Sequence, residues 1–413
     1  RPMNIAIVGA GVSGLVAAHL LHHEHDITVF EAADWIGGHT HTVPVQTETR
    51  SYEVDTGFIV LNDRNYPNFE RLLAKLGVPT QPSSMSFSVS DGEFEYSSTS
   101  LNGLFANRRH VVSPRFLRML ADVRRFQREA RELLAHDGNG PSLREYLERG
   151  RYSAPFVDQL IVPQAAAVWS SDPEQMWAFP ARFLVQFFAN HGMLSLTDRP
   201  RWRTVSGGSH RYVEALIRPF RERIRVASPV TSIAREPDHI LLTPQRGEAE
   251  RYDRVVMATH SDQALRMLSN ATDREHELLG SIPYQRNDVV LHTDRSLLPR
   301  RRAAWASWNY HLDAGDGASK VTYHMNRLQS LSADRELCVT LNLSDRIDPD
   351  AILGRWNYEH PVYTSAGVAA QRRRAEIDGT DRIHYCGAYW GWGFHEDGVL
   401  SAMKACASLG GRL

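Results

Sequence analysis

Asn4-Ile5-Ala6-Ile7-Val8-Gly9-Ala10-Gly11-Val12-Ser13-Gly14 is the stretch on which the fold turns. Asn4 to Val8 is a short β-branched run, three glycines follow at G-x-G-x-x-G spacing, and Leu15 to His22 continues as a helix. Strand, tight turn and helix in that order set the free N–H groups of a helix N-terminus beside a backbone that a diphosphate can approach. In this reading Gly9 makes the turn, Gly11 with Val12 and Ser13 admits the diphosphate, and Gly14 lets helix and strand pack closely. A second strand over Asp26 to Phe30 ends at Glu31, placed to accept hydrogen bonds from a ribose and to repel a 2′-phosphate.

Two further elements follow at once. Gly37-Gly38-His39-Thr40 lies just beyond Glu31, and Glu53-Val54-Asp55-Thr56-Gly57 adds an acidic turn. Together they favour FAD over NAD as the dinucleotide. The chain has 413 residues, 42% in the hydrophobic set and 23% charged, enough to bury a sizeable core and too mixed to be disordered. A formal net charge of -1 recruits no nucleic acid. Three scattered cysteines exclude a disulfide framework, and neither they nor His22, His23 and His25 form a metal-type pattern, so no metal is expected. The apolar run from Ile5 to Leu21 is broken by the glycine motif and is neither a signal peptide nor a membrane span, so the expected location is cytoplasmic.

The ordered motifs resemble the flavin-containing amine oxidase superfamily, whose members carry G-x-G-x-x-G, a ribose Glu, a GGR-type motif and a D-x-G turn in this order. Four further blocks extend the likeness: Val205-Ser206-Gly207-Gly208-Ser209 before a helix, a strand over Val226 to Ile233 with Val230 against the adenine, a returning strand over Tyr252 to Thr259, and Ile383 to Gly387 followed by Gly393-Phe394-His395-Glu396-Asp397-Gly398-Val399. The resemblance implies an α/β fold with a discontinuous Rossmann-like FAD-binding domain, residues 1–84, 205–281 and 365–413, and an α+β substrate domain, residues 85–204 and 282–364. It implies FAD contacts from Gly9, Gly11, Val12, Ser13, Gly14, Glu31, Gly37, Gly38, His39, Thr40, Asp55, Thr56, Gly57, Val230, Thr259, Gly387, Glu396, Asp397, Gly398 and Val399.

Within the superfamily the GFHEDG ending is similar to that of bacterial flavoproteins resembling desaturases of modified fatty acids. The implied activity is removal of two hydrogens from a hydrophobic substrate such as a lipid acyl chain, by hydride transfer to flavin N5, with oxygen or a quinone-like carrier as electron acceptor. Tyr389, Trp392, Phe394 and His395 are the expected cleft lining, with Phe394 where amine oxidases carry an aromatic-cage tyrosine. The segment resembling the strand that often carries a lysine near the flavin has Asn287 and Asp288 instead, His39 replaces the GGR arginine, and Ala388 replaces an acid. Tyr363 stands where a covalent attachment would need cysteine, so the FAD is expected to be non-covalent. An amine oxidase forming imine and peroxide, with the aromatics as its cage, and a non-catalytic flavin-binding protein are the alternatives.

Outside these blocks, Met85 to Ser90 and Glu93 to Ser97 alternate around Asp91-Gly92 as a hairpin, and Asp288 to His292, Lys320 to Met325 and Glu336 to Leu343 are expected strands. Ser142 and Glu145 form a candidate capping box for a helix ended by Gly150. Ser113-Pro114 opens a helix, 114–134, with an apolar stripe (Phe116, Leu120, Val123, Phe126, Ala130, Leu133) among arginines. Such a helix either packs on the substrate domain or lies peripherally on the inner membrane face.

Overall fold

The computed structural model describes residues 1–136, 138, 140–191, 199–312, 315 and 317–413. Asn4–Val8 forms the centre of a five-stranded, wholly parallel sheet, with Asp26–Phe30 and then Ile224–Arg225 on one side and Arg254–Met257 and then Ile383–Tyr385 on the other. The pleat divides the central strand between two cores. Ile5 and Ile7 pack with Leu15, Phe69, Tyr212 and Val399, whereas Ala6 and Val8 pack with Ile233, Leu268 and Ile377. Both faces are therefore covered, as a parallel sheet requires, and the strands are apolar without alternation.

The turn after the first strand depends on its glycines. A Cβ on Gly14 would stand 1.8 Å from the Gly9 carbonyl oxygen, and Gly9 itself has φ +109. Helix Val12–Leu21 follows with Gly11 at its N-cap, no side-chain cap and no acid in its first turn. Its N–H groups are left for another acceptor.

A second sheet has seven strands in the order Ile352–Pro361, Tyr284–His292, Cys338–Leu341, Val321–His324, Trp308–His311, Phe87–Ser90, Glu95–Ser97. All neighbours are antiparallel except Trp308–His311 with Phe87–Ser90. The hairpin forms as its turn predicts: Asp91 Oδ1 accepts from the N–H groups of Glu93 and Phe94, and Gly92 takes φ +93. Helices from 114 to 190 back this sheet through a core containing Phe116, Phe126, Phe156, Trp169 and Phe188.

Three local expectations change. The strand expected over Val226 to Ile233 begins at Val230, because Ala227 adopts φ +47 and 226–229 turns so that the N–H groups of Ala227 and Ser228 bond the carbonyls of Ala33 and Glu31. Ser142 caps helix Leu143–Arg149 through the Glu145 N–H, but the Glu145 carboxylate pairs with Arg149 at 3.7 Å instead of closing a box. Helix Pro114–Glu129 is capped by Ser113, and its apolar stripe is taken up by the protein, with Phe116, Met119 and Phe126 buried. The stripe is thus not available to a lipid surface. Among the described residues, no helix is long and apolar enough to cross a membrane.

Candidate active site

The two sheets enclose a cavity of about 1050 Å³ that begins at the glycine turn and ends against the substrate-side sheet. Gly9, Gly11, Val12, Ser13, Glu31, Gly38, His39, Thr56, Gly57, Val230, Thr259 and Gly387 all line it. Such a cradle suits a diphosphate. A Cβ on Gly11 would meet only Gly38 Cα, at 4.0 Å, so open space lies in front of the uncapped helix. Glu31 stands at the end of its strand, its carboxyl raised above the ordinary range by burial and partly restrained by backbone N–H groups, Ala33 among them. The residues present fit FAD: the helix N-terminus would hold its diphosphate, Glu31 a ribose and Val230 the adenine.

Several of the sequence-assigned residues support this wall without facing the cavity. Gly14 packs the helix on the turn, and Gly37, at φ +132, closes a turn with Thr40. Asp55 is fully buried and accepts from Thr42 Oγ1 at 2.6 Å, the Ser209 N–H at 2.9 Å and Ser209 Oγ at 2.9 Å, anchoring the Thr56-Gly57 turn to the segment before helix His210–Ile217. Glu396 turns away to accept from Asn68 and Phe69 at the start of helix Pro67–Leu76. Asp397 accepts from the Phe394 N–H, Gly398 lies against Val12, and Val399 joins the core. The helical spacing of 395–399 explains the division: one face looks into the cavity and the next looks into the fold.

Of the expected cleft residues, Tyr389, Phe394 and His395 line the cavity. Trp392 does not; its ring lies 4.3 Å from Phe183 and its carbonyl accepts from Trp169 Nε1. His395 is stacked on Phe58 at 3.6 Å, and its Nε2 lies 2.7 Å from the Tyr212 hydroxyl and 2.9 Å from Thr40 Oγ1. Burial lowers its pKa to about 3, so it is a neutral hydrogen-bonding group at physiological pH. Thr40, also absent from the cavity wall, completes this triangle at 2.6 Å from Tyr212.

Other functional groups escaped the sequence reading. Asn287 is fully buried; its amide donates to the Ser170 carbonyl and to His360 Nδ1, and its oxygen accepts from Asn342. Those partners fix the amide orientation and leave the neutral His360 ring with its proton on Nε2. His360 lines the cavity with its ring 5.0 Å from that of His39, and burial lowers both pKa values, His39 to about 4 and His360 well below 6.5. His191 lines the far part, where its Nδ1 donates to the Phe187 carbonyl at 2.9 Å and burial again lowers its pKa to about 4. Its Nε2 therefore carries the lone pair. Only the Asn287 position had a sequence signal, as a departure from the family's lysine.

A parallel nucleotide sheet joined to a substrate sheet across one glycine-cradled cavity defines an FAD-dependent oxidoreductase. The chain belongs to the flavin-containing amine oxidoreductase family, matching it over residues 12–409. Among curated proteins, none matches the sequence. Among solved structures, it is similar to cyclohexylamine oxidase from Brevibacterium oxydans IH-35A (15% identity, 99% of each chain, TM-score 0.71). It is also similar to a CLA-producing fatty acid isomerase from P. acnes (16% identity, 98% of each chain, TM-score 0.69) and to putrescine oxidase bound to putrescine (15% identity, 99% of each chain, TM-score 0.67). At these identities the likeness is one of fold.

Proposed function

We propose that this enzyme removes two hydrogens from an apolar chain, a lipid acyl group, and that an amine is not its substrate. One observation carries the reading. Beyond the nucleotide cradle the cavity is walled by side chains such as Val60, Met85, Phe87, Phe187, Trp308 and Phe394, and Glu31 is the sole carboxylate among its described lining residues. No lysine is among those described lining residues either. An ammonium group would lose its hydration there without an acid to replace it, whereas an alkyl chain gains about 0.8 kcal/mol per buried methylene.

When bound, FAD supplies the two-electron acceptor that takes a hydride from the substrate carbon. The chain's part is to dry, orient and collect a proton. Phe394 and Phe187, stacked at 5.3 Å, exclude water from the chain. The amide of Asn287 holds His360 in one tautomer, which keeps an N–H donor and no cation on this wall. His191 Nε2 is a neutral acceptor for the second hydrogen, which leaves as a proton. In this proposal FAD is held without a covalent bond, supported against a cysteinyl link by Cys338, Cys386 and Cys406, which are all buried and do not line the cavity. The acceptor that would reoxidise the cofactor in this reading is oxygen or a quinone-like carrier, since the sequence carries no second dinucleotide motif for a nicotinamide.

Anaerobic mixing of the holoenzyme with acyl lipids and, separately, with an amine panel tests the proposal. Bleaching of the flavin absorbance by lipid, with a new double bond found by mass spectrometry, is the expected result. Bleaching by amines alone, with peroxide release in air, would overturn it.

A further inference from the structure

Only six large hydrophobic side chains are exposed among the described residues, and four of them, Leu101, Val111, Val112 and Leu117, fall within 101–118. Val112 is 80% exposed and Leu101 77%. The same eighteen-residue stretch holds Arg108, Arg109, Arg115 and Arg118, all exposed, and not one Asp or Glu. On helix Pro114–Glu129 the outward face continues the mixture, since Leu117, Ala121, Arg124 and Arg128 follow one another at helical spacing and are all exposed. Arg115 and Arg124 have no ion-pair partner among the described residues. Arg109 reaches Glu93 at 3.9 Å and Arg118 reaches Asp122 at 3.5 Å, yet the patch of apolar tips still carries more cations than anions, unlike a solvated helix face, where charges of both signs alternate.

We infer that this surface docks on an anionic phospholipid bilayer. Leu101, Val111, Val112 and Leu117 enter the interface, and the arginines pair with lipid phosphates. Charge argues for lipid over a second copy of the chain: two copies meeting here would bring like charges together. The placement also serves the cavity. Ser98 is exposed and lines the cavity wall three residues before Leu101, so the docked face borders a mouth through which an acyl chain enters. This purpose rests on the substrate reading above; the docking does not.

Flotation of the purified holoenzyme with vesicles tests it, because no turnover is involved and failure leaves the substrate reading standing. Vesicles containing phosphatidylglycerol are expected to carry the protein at low salt, phosphatidylcholine vesicles are not, and raised salt is expected to release it. The double variants Val112→Asp with Leu117→Asp, and Arg115→Glu with Arg124→Glu, are each expected to lower binding more than about tenfold. Their flavin content and melting temperature should stay unchanged, because all four side chains are exposed. Absence of flotation, equal binding to both vesicle types, or binding that survives both variants would overturn the inference. A concentration-dependent dimer abolished by the same variants, without flotation, would overturn it in favour of a second copy.

Discussion

Replacing Asp55 by asparagine should stabilise the protein at neutral pH, although it removes a fully buried side chain's charge from a four-bond cluster. Burial raises the Asp55 carboxyl from its ordinary 3.8 to about 6, outweighing the donors from Thr42 and Ser209. The native state therefore holds a proton between about pH 4 and 6 that the unfolded chain has already released. Folded protein binds more protons in that window, so this group's contribution is complete below about pH 4 and is lost as pH rises through about 6. The interval from 3.8 to about 6 corresponds to about 3 kcal/mol. Asparagine makes no such loss. Its oxygen at the Oδ1 position keeps the bonds from Thr42 Oγ1 and the Ser209 N–H, and Ser209 Oγ can donate to the Phe58 carbonyl at 3.2 Å while accepting from the new amide. Urea unfolding of flavin-free protein at pH 4.5, 6 and 7.5 should show D55N near wild type at the lowest pH and more stable by up to about 3 kcal/mol at the highest. D55A, which strands three donors and does not titrate either, should lie about 3 kcal/mol below D55N at every pH, and so fall furthest below wild type at pH 4.5. A D55N that is less stable throughout, or whose difference from wild type does not vary with pH, would refute this account of the cluster.

Gly11→Ala should leave the melting temperature of the flavin-free protein unchanged, since its methyl meets nothing closer than 4.0 Å, yet weaken FAD binding measured by titration, because it occupies the diphosphate's approach. Gly14→Ala should instead fail to yield folded protein, its methyl overlapping the Gly9 carbonyl. Glu31→Ala should raise the FAD dissociation constant about tenfold through lost ribose bonds, with the circular dichroism spectrum intact. His191→Ala should slow flavin reduction by the acyl substrate on the order of 100-fold in stopped-flow experiments, with FAD affinity unaltered. Acid precipitation should release all of the flavin into solution.

What the sequence made legible was local. Strand, glycine turn, helix and Glu31 form within thirty residues, and their spacing is dictated by one diphosphate and one helix dipole. The hairpin at Asp91-Gly92 was equally visible because two adjacent residues determine it. The Thr40, Tyr212 and His395 triangle joins residues up to 355 positions apart, and the Asn287 bridge reaches Ser170, Asn342 and His360. No periodicity records such pairings. The last helix shows the same limit from the other side: its motif located the site, yet which of 394–399 face the cavity follows from how that helix packs on Val12–Leu21, a contact between opposite ends of the chain.

That contact has a consequence during synthesis. One edge strand of the parallel sheet, Ile383–Tyr385, and the helix that seats Gly398 on Val12 leave the ribosome long after the glycine turn they cover. Until they emerge, the glycine turn lies half-walled and its apolar neighbours face water, so a stalled or truncated polypeptide is a client for chaperones and proteases before it can retain its yellow pigment.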